Sequence, residues 1–282
     1  MKTGDLEKQY IFELTHLYDQ EEAKSLFGLA VESVLDISPV KLKMMKDSFL
    51  DNDQIQKILQ VLSELRQGKP IQHIIGEAHF YGLVFKVNQN VLIPRPETEE
   101  LVDWITNDYQ GLSLSDLNIL DIGTGSGCIP ISLKKNIEHA KVSTLDISPE
   151  AITLAKENAK LNEVNIEFMN VSIFDFSSEL KFDVIVSNPP YIRDLEKMEM
   201  HQNVLEHEPH LALFVSDERP LIFYEAIADL AICNLKANGA LYFEINEYLG
   251  EEMLAMLDLK GFTKLELRAD MQGKPRMLKA SI

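Results

Sequence analysis

From about residue 117 onward, the sequence alternates between short runs typical of buried strands and longer runs typical of helices. Strands are predicted at 118–122, 141–146, 165–169, 182–187, 239–245, 262–268 and 276–280. Helical segments separate the first six of them, at 127–136, 149–161, 195–203, 220–236 and 247–258. This alternation predicts a doubly wound, mostly parallel seven-stranded sheet with helices on both faces. The last two strands leave no room for a helix between them, so we expect them to pair antiparallel at one edge.

The region before this alternation has a different pattern. Apolar residues spaced three and four apart predict a small N-terminal helical bundle over residues 1–73. Residues 74–95 are rich in aromatic and β-branched side chains, which predicts a β-hairpin linker with a turn at 88–90. The α/β domain is then expected to span residues 96–282.

The charge distribution limits the classes of ligand. The chain of 282 residues has 27 basic and 45 acidic residues, a net charge of −18. Residues 1–95 carry 11 basic and 13 acidic groups, net −2, and residues 96–282 carry 16 and 32, net −16. Because DNA binding depends on neutralising phosphates with Lys and Arg, this acidic region argues against duplex DNA as a substrate.

Two cysteines, Cys128 and Cys233, are too few for a disulfide framework or a cysteine-rich zinc site. No apolar run approaches the ~18 residues of a membrane span, and the first residues lack a signal-peptide pattern. We therefore expect a cytoplasmic protein with reduced thiols. His201, His207 and His210 lie near acidic residues, but H-x-x-H alone is weak evidence for metal binding, and no metal is expected.

A glycine-rich loop follows the first strand of the alternating region. It contains Gly123, Thr124, Gly125, Ser126 and Gly127. The spacing is G-x-G-x-G, whereas the dinucleotide fingerprint requires a further glycine at the position of Cys128, and the P-loop requires G-K-[ST]. Glycines allow close backbone approach to a ligand, and the following helix start favours a polar or anionic one. A tight turn with a purely structural role is the alternative.

Asp146 ends the second strand, 19 residues after Gly127. A carboxylate at this place in doubly wound nucleotide-binding folds accepts hydrogen bonds from ribose hydroxyls. By itself Asp146 has a second interpretation, as a cap of the next helix. Together with the glycine loop, it predicts binding of an adenosine-type nucleoside.

Asn188, Pro189, Pro190 and Tyr191 follow the fourth strand. The prolines lack backbone N–H groups and have a fixed φ, so the carbonyls of Asn188 and Pro189 and the Asn188 side-chain carbonyl form a rigid set of acceptors. Such a set suits an –NH2 group, and Tyr191 offers a flat face for a planar amide or base. The alternative is a stiff turn without a ligand.

These motifs together resemble the class I S-adenosylmethionine-dependent amino methyltransferases. With the segment IPRPETE at 93–99, the sequence is similar in particular to the HemK-type release factor glutamine N5-methyltransferases. The resemblance implies S-adenosylmethionine as cofactor and a Rossmann-like methyltransferase fold. It implies cofactor contacts at residues 123–127, at Asp146 and at Ile173 beside the adenine, with Asn188 near the methyl group.

The resemblance also implies methylation of glutamine in peptide chain release factors, and hence a part in translation termination. Asn188, Pro189 and Tyr191 would be catalytic, and Pro190 would join them in binding the substrate amide. We expect a monomer that binds neither DNA nor membranes. Two alternatives remain open: a nucleic-acid amino-group (adenine N6) methyltransferase, and a non-catalytic scaffold that binds S-adenosylmethionine.

Overall fold

The computed structural model describes residues 1–111, 116–199 and 202–282. The chain forms two compact units. The first contains residues 1–77 and the helix Gln202–His207, and the second contains residues 78–199 and 208–282. The sequence pattern places all residues beyond 96 in the α/β domain, so the position of this short helix in the first unit was not anticipated.

The first unit is helical. Its first five helices are α1 (Thr3–Leu14), α2 (Gln20–Leu35), α3 (Pro39–Met44), α4 (Asn52–Leu65) and α5 (Ile71–Ile75). Side-chain caps fix the starts of α2, α3 and α4: Asp19 accepts a hydrogen bond from the Glu22 N–H, Ser38 accepts one from the Lys41 N–H, and Asp51 forms a capping box with Gln54. The core of the unit contains buried residues of α1, α2, α4 and α5, among them Leu6, Tyr10, Leu14, Phe27, Ile58, Leu62 and Ile71.

A hairpin of strands β1 (Glu77–Phe80) and β2 (Leu83–Lys86) follows the first five helices, and all of it except Glu77 belongs to the second unit. Its turn is Tyr81-Gly82, with φ of +48° and +74°, and not the predicted turn at 88–90. Two-residue hairpin turns with positive φ match the twist of the strands, and Glu99 Oε1 supports this one by accepting from the Tyr81 N–H at 2.7 Å. Asn88 also forms a turn, accepting from the Val91 N–H at 3.2 Å, but this turn follows the hairpin.

The central sheet has seven strands, as predicted. The strands after the hairpin are β3 (Asn118–Ile122), β4 (Lys141–Asp146), β5 (Glu167–Asn170), β6 (Phe182–Ser187), β7 (Ile192–Arg193), β8 (Phe214–Val215), β9 (Leu235–Glu244), β10 (Lys264–Ala269) and β11 (Pro275–Ser281). The order in the sheet is β10-β11-β9-β6-β3-β4-β5. The pairs β11–β9 and β10–β11 are antiparallel, and the others are parallel. The short strands β7 and β8 pair with each other outside this sheet.

The remaining helices belong to the second unit, except for the helix Gln202–His207 of the first unit. They are α6 (Pro96–Tyr109), α7 (Cys128–Asn136), α8 (Pro149–Leu161), a 3-10 helix (Asp194–Glu199), α9 (Gln202–His207), α10 (His210–Leu213), α11 (Ile222–Asn234) and α12 (Gly250–Leu259). Within the described ranges, no helix combines the length and the apolar character that crossing a bilayer requires.

Two hydrophobic clusters cover the two faces of the sheet. Along β6, Val184 and Val186 belong to one cluster, which contains α6 and α7 residues, whereas Ile185 belongs to the other, which contains α11 and α12 residues. Strands buried on both faces are typical of doubly wound sheets. Because β3, β4, β5 and β6 are parallel, their carboxyl ends lie at the same edge, where such folds form ligand sites.

Candidate active site

A cavity of about 500 Å³ lies at this edge of the sheet. The cavity is lined by four segments at the carboxyl ends of β3, β4, β5 and β6, which are residues 123–126, 146–148, 171–174 and 188–190. Residues 89–92, Pro94, Arg95 and Thr98 also line it. The volume is within the range of about 300–1,000 Å³ that is usual for small-molecule sites. Most of the second group belongs to the predicted linker, and its place in the cavity wall was not anticipated from the sequence.

The glycine loop after β3 is held against β4. Gly123 and Gly125 have φ of +88° and +52°, a region that other residues rarely adopt. The N–H groups of Gly123 and Thr124 donate to the Leu145 carbonyl, at 2.9 and 3.2 Å. Gly123, Thr124, Gly125 and Ser126 all line the cavity.

Gly127 ends the loop and caps the N-terminus of α7. It does not line the cavity, and a Cβ atom there would lie 2.8 Å from Ile131 Cδ1 and 3.1 Å from Ala155 Cβ. Its φ is +85°, at the start of α7. Gly127 therefore allows close packing of α7 and α8, and its contact with the cofactor stays a prediction.

Asp146 connects the end of β4 to the glycine loop. Its Oδ2 accepts from the Gly125 N–H at 2.9 Å, and its Oδ1 accepts from the Ser148 N–H at 2.9 Å. Each carboxylate oxygen can accept a second hydrogen bond. Burial raises the pKa of this carboxyl, and the backbone hydrogen bonds oppose that effect. Asp146 thus has acceptor capacity beside the cavity that it lines.

Two buried polar groups lie near this loop, and one of them, Asp121, was not assigned from the sequence. Asp121 on β3 is fully buried; its Oδ2 accepts from Thr144 Oγ1 at 2.6 Å, but its Oδ1 has no partner among the described residues. Burial raises the pKa of the Asp121 carboxyl to about 7. The Ser126 hydroxyl is also buried without a partner among those residues. A carboxylate within the apolar run NILDI was the available signal for Asp121.

Asn188 belongs to a chain of hydrogen bonds. Its Nδ2 donates to Thr98 Oγ1 at 3.3 Å, and Thr98 Oγ1 donates to Glu244 Oε2 at 2.6 Å. The other carboxylate oxygen, Glu244 Oε1, accepts from the Tyr191 hydroxyl at 3.0 Å. The Glu244 residue is only 1% exposed, and burial raises its pKa while the bonds from Thr98 and Tyr191 oppose the rise. The roles of Thr98 and Glu244 were not predicted from the sequence.

The two prolines and the tyrosine after Asn188 differ in position. Pro189 and Pro190 line the cavity, but Tyr191 does not. The Tyr191 hydroxyl bonds to Glu244, and the Tyr191 carbonyl accepts from Asn246 Nδ2 at 3.1 Å. The Tyr191 side chain is thus engaged with the buried carboxylate of Glu244, and a contact of its flat face with the substrate stays a prediction.

The wall after β5 is mostly apolar. Ile173 lines the cavity together with Phe174, which is half exposed. The ring of Phe174 packs against that of Phe223 from α11, with centroids 5.6 Å apart and an angle of 44°. Phe223 also lines the cavity and was not predicted. Ile173 and the two phenylalanines therefore offer an apolar surface to a planar group.

A buried carboxylate fixes the opposite wall. Glu208 Oε1 accepts a hydrogen bond from the Arg95 guanidinium, and its Oε2 accepts from the Ile93 N–H at 3.3 Å. The Glu208 side chain is 1% exposed. This pairing holds the segment before α6 in place, so that Arg95 and Thr98 reach the cavity.

The histidines considered as metal ligands have other contacts where they are described. His207 Nε2 lies 3.2 Å from the Gln67 carbonyl, and the ring of His210 packs edge-on against Phe214. His201 lies outside the described residues. Within the described ranges, no group of three or more His, Cys, Asp or Glu side chains is arranged to hold a metal ion.

The sequence matches two family models and close relatives. Residues 99–212 match the Methyltransferase small domain, and residues 8–76 match the PrmC N-terminal domain. A release factor glutamine methyltransferase of Flavobacterium psychrophilum is 49% identical over 277 residues, covering 97% of this chain and 96% of that protein. The chain belongs to the release factor glutamine methyltransferase family. The release factor glutamine methyltransferase of Bacteroides thetaiotaomicron is 42% identical over 270 residues, covering 95% of this chain and 96% of that protein.

A solved structure agrees with this assignment at the level of the fold. The hMettl16 catalytic domain in complex with MAT2A 3′UTR hairpin 1 has a TM-score of 0.57 at 14% identity, covering 89% of this chain and 91% of that one. The family resemblance and the class I methyltransferase fold that the motifs predict are both confirmed.

Proposed function

We propose that this protein transfers a methyl group from S-adenosylmethionine to the side-chain amide nitrogen (N5) of a glutamine in a peptide chain release factor. Membership of the release factor glutamine methyltransferase family supports the reaction and the class of substrate. The observation that carries the proposal in this structure is the orientation of Asn188. Its NH2 group bonds to Thr98, which leaves its carbonyl oxygen as an acceptor at the cavity wall.

The residues of the cavity fit the cofactor. Asp146 has carboxylate lone pairs to accept the ribose hydroxyls, and Gly123 and Gly125 lack side chains that would keep a ligand from the backbone. The buried Ser126 hydroxyl has no partner among the described residues and is available to a ligand. Ile173 offers an apolar contact for the adenine. When bound, S-adenosylmethionine supplies a methyl group attached to a positively charged sulfur.

The residues after β6 would hold the substrate amide. Amide nitrogen is a weak nucleophile because its lone pair is delocalised into the carbonyl. Asn188 Oδ1 and the Pro189 carbonyl would accept the two amide hydrogens, which increases electron density on the nitrogen and sets the direction of its lone pair. Pro189 and Pro190 have no N–H to compete for these acceptors. Positioning of this kind contributes at most about 7–11 kcal/mol to lowering the barrier.

No general base is required in this mechanism. As the new N–C bond forms, the bond between the methyl carbon and the sulfur breaks and leaves a neutral thioether, and the substrate nitrogen then gives up one of its hydrogens as a proton to water. Before the transfer, the Asn188 and Pro189 oxygens would each accept one of the two amide hydrogens, and both oxygens remain neutral throughout. Asp146 has the role of a cofactor ligand in this scheme and takes no part in the proton transfer.

The domain organisation follows the same proposal. Residues 1–73 would form a helical domain that contacts the release factor, residues 74–95 a hairpin linker, and residues 96–282 the methyltransferase domain. The family model for the PrmC N-terminal domain supports the first of these. We propose further that the enzyme acts as a monomer in the cytoplasm and does not bind DNA directly.

Methylation of a nucleic-acid amino group is the competing reaction. A base that is flipped into a pocket requires phosphate contacts from basic side chains. Residues 96–282 carry 16 basic and 32 acidic groups, which disfavours such contacts. A non-catalytic scaffold is the third possibility, and it differs from both enzymes in transferring nothing.

A transfer assay separates these three functions. Purified protein is incubated with methyl-labelled S-adenosylmethionine and one of three acceptors: release factor, the same factor with its substrate glutamine replaced, or single-stranded nucleic acid. We expect label on the intact factor alone. Label on nucleic acid alone would identify the competing enzyme, and binding of the cofactor without any transfer would identify a scaffold.

A further inference from the structure

We infer that Glu244 is a positioning residue that, through Thr98, holds the side-chain amide of Asn188 with its carbonyl oxygen toward the substrate and so selects an amide over a carboxylate. The inference rests on the proposed function, in which Asn188 accepts a hydrogen of the glutamine amide. It concerns a group that does not line the cavity, since Glu244 is buried at the end of β9.

Counting hydrogens gives the direction of the bonds. An ionised carboxylate only accepts hydrogen bonds, and a threonine hydroxyl has one hydrogen to donate. The Thr98 hydrogen is used in the 2.6 Å bond to Glu244 Oε2. Thr98 Oγ1 can then only accept from Asn188, so it is the NH2 group of Asn188 that must face it, at 3.3 Å.

The reverse orientation of Asn188 is disfavoured as long as Glu244 is charged. If the Asn188 amide rotated by half a turn, its Oδ1 would face the lone pairs of Thr98 Oγ1 with no hydrogen between them. Tyr191 strengthens this arrangement, because its hydroxyl donates to the second oxygen of Glu244 at 3.0 Å. Tyr224 also donates to the Glu244 backbone carbonyl at 3.0 Å, which fixes the residue that carries the carboxylate.

The orientation has a consequence for specificity. With its carbonyl toward the cavity, Asn188 accepts from the NH2 group of glutamine but meets only lone pairs on the carboxylate of glutamate. With the reverse orientation, Asn188 would present N–H groups, which favour a carboxylate. A site with a buried acceptor rejects a ligand that lacks the matching donor, because both partners lose hydrogen bonds.

Three variants test the inference. Glu244→Gln replaces the carboxylate by an amide that can donate to Thr98, which frees the Thr98 hydrogen for Asn188 Oδ1. Thr98→Val removes the hydroxyl and keeps the shape of the side chain. Thr98→Ser is the matched control, since it keeps a hydroxyl at the same position. The protein is otherwise the full chain in each case.

In the methylation assay, we expect Glu244→Gln and Thr98→Val to lower kcat with release factor by about 100-fold, the loss typical of a misplaced reacting group. The Kd for S-adenosylmethionine, measured by calorimetry, should change little, and Thr98→Ser should retain most of the wild-type kcat. Binding to release factor with glutamine or with glutamate at the substrate position should also become less selective in Glu244→Gln and Thr98→Val. Unchanged selectivity in both would overturn the inference.

A readout independent of methyl transfer is the ¹⁵N NMR signal of the Asn188 side-chain NH2 group, assigned by its loss in Asn188→Asp. We expect this signal to shift in Glu244→Gln and Thr98→Val and to remain close to the wild-type position in Thr98→Ser. If the Asn188 signal shifts in neither Glu244→Gln nor Thr98→Val, the inference is wrong even if the enzyme methylates release factor. If wild-type protein transfers no methyl group while the signal responds as expected, only the proposed function fails. If Glu244→Gln does not fold, comparison of Thr98→Val with Thr98→Ser still tests the inference.

Discussion

The Thr98 hydroxyl, on the first turn of α6, donates a hydrogen bond of 2.6 Å to Oε2 of Glu244, the last residue of β9. The two residues are 146 positions apart in the sequence. This bond joins the start of α6 to the central sheet, and the same Thr98 oxygen accepts a hydrogen bond from Asn188. It explains how a side chain in a loop after β6 keeps one orientation at the edge of a cavity, which is the property that the proposed reaction requires.

Removal of the Asp146 carboxylate is expected to weaken cofactor binding. In Asp146→Ala, the proposed ribose hydrogen bonds are lost, and so is the bond that holds the Gly125 N–H. Hydrogen bonds to charged groups contribute about 1.5–3 kcal/mol each, so we expect S-adenosylmethionine to bind at least about 10-fold more weakly. Isothermal titration calorimetry measures this. Asp175→Asn, at an exposed acidic residue near the cavity, is the control and should bind as wild type does.

Asp121 is expected to make stability depend on pH. Burial raises its pKa to about 7 in the folded protein, whereas an aspartate in an unfolded chain has a pKa of about 4. A raised carboxyl pKa favours the folded state when the group is protonated, so its contribution is complete below about pH 4 and is lost as the pH rises to about 7. Each unit of pKa difference corresponds to about 1.4 kcal/mol.

The measurement is urea unfolding of the wild type and Asp121→Asn at about pH 5 and about pH 8. The wild type should lose more unfolding free energy between these two values than the variant, by a few kcal/mol. Other buried carboxyls, such as those of Asp146 and Glu244, are present in both proteins. Their contributions to the pH dependence of the unfolding free energy therefore cancel when the two proteins are compared. An identical pH dependence in the two proteins would show that Asp121 keeps an ordinary pKa.

Replacement by alanine should destabilise the folded protein more at Gly127 than at Gly125. In Gly127→Ala, the new Cβ would meet Ile131 at 2.8 Å and Ala155 at 3.1 Å, in addition to the strain of its positive φ. In Gly125→Ala, nothing lies within 4 Å of the new atom, and only backbone strain of about 1–2 kcal/mol remains. Thermal unfolding should therefore show a larger loss of Tm for Gly127→Ala. Equal losses would contradict the packing role given to Gly127.

Asn188→Ala is expected to retain binding of S-adenosylmethionine but to lose methyl transfer. The side chain accepts no hydrogen bond from the glycine loop among the described residues, so the fold and the Kd for S-adenosylmethionine should change little. Methylation of release factor should fall by about 100-fold or more, because the substrate amide loses one of its two acceptors. Calorimetry and initial rates measure the two quantities. A variant with normal turnover would exclude the role of Asn188 in holding the amide.

Much of the fold could be predicted from the sequence because its signals are local. Buried parallel strands such as Phe182–Ser187 are continuous apolar runs, and their positions were predicted to within a few residues. The hairpin turn was misplaced because Tyr81 adopts a positive φ, and nothing in its residue type indicates this. The asparagines at 88 and 90 were the stronger turn signal, but they form a turn after the strands.

The candidate site was predictable only in part, for a related reason. The glycine loop, Asp146 and Asn188 each follow a strand, so the parallel sheet was expected to bring them together. The contacts of Thr98 with Glu244 and of Arg95 with Glu208 join residues more than 100 positions apart. Their side-chain directions depend on packing, and so does the direction of Tyr191, which bonds to Glu244 instead of lining the cavity.

The central claim is that this protein methylates the side-chain nitrogen of a release factor glutamine, held by Asn188. Mass spectrometry of release factor after incubation with S-adenosylmethionine tests it most directly, using wild-type protein and Asn188→Ala side by side. We expect one hydrogen of the substrate glutamine amide to be replaced by a methyl group with the wild type and almost none with the variant. An unmodified glutamine after incubation with a folded, cofactor-binding wild-type protein, or a methyl group on any other residue, would contradict the claim.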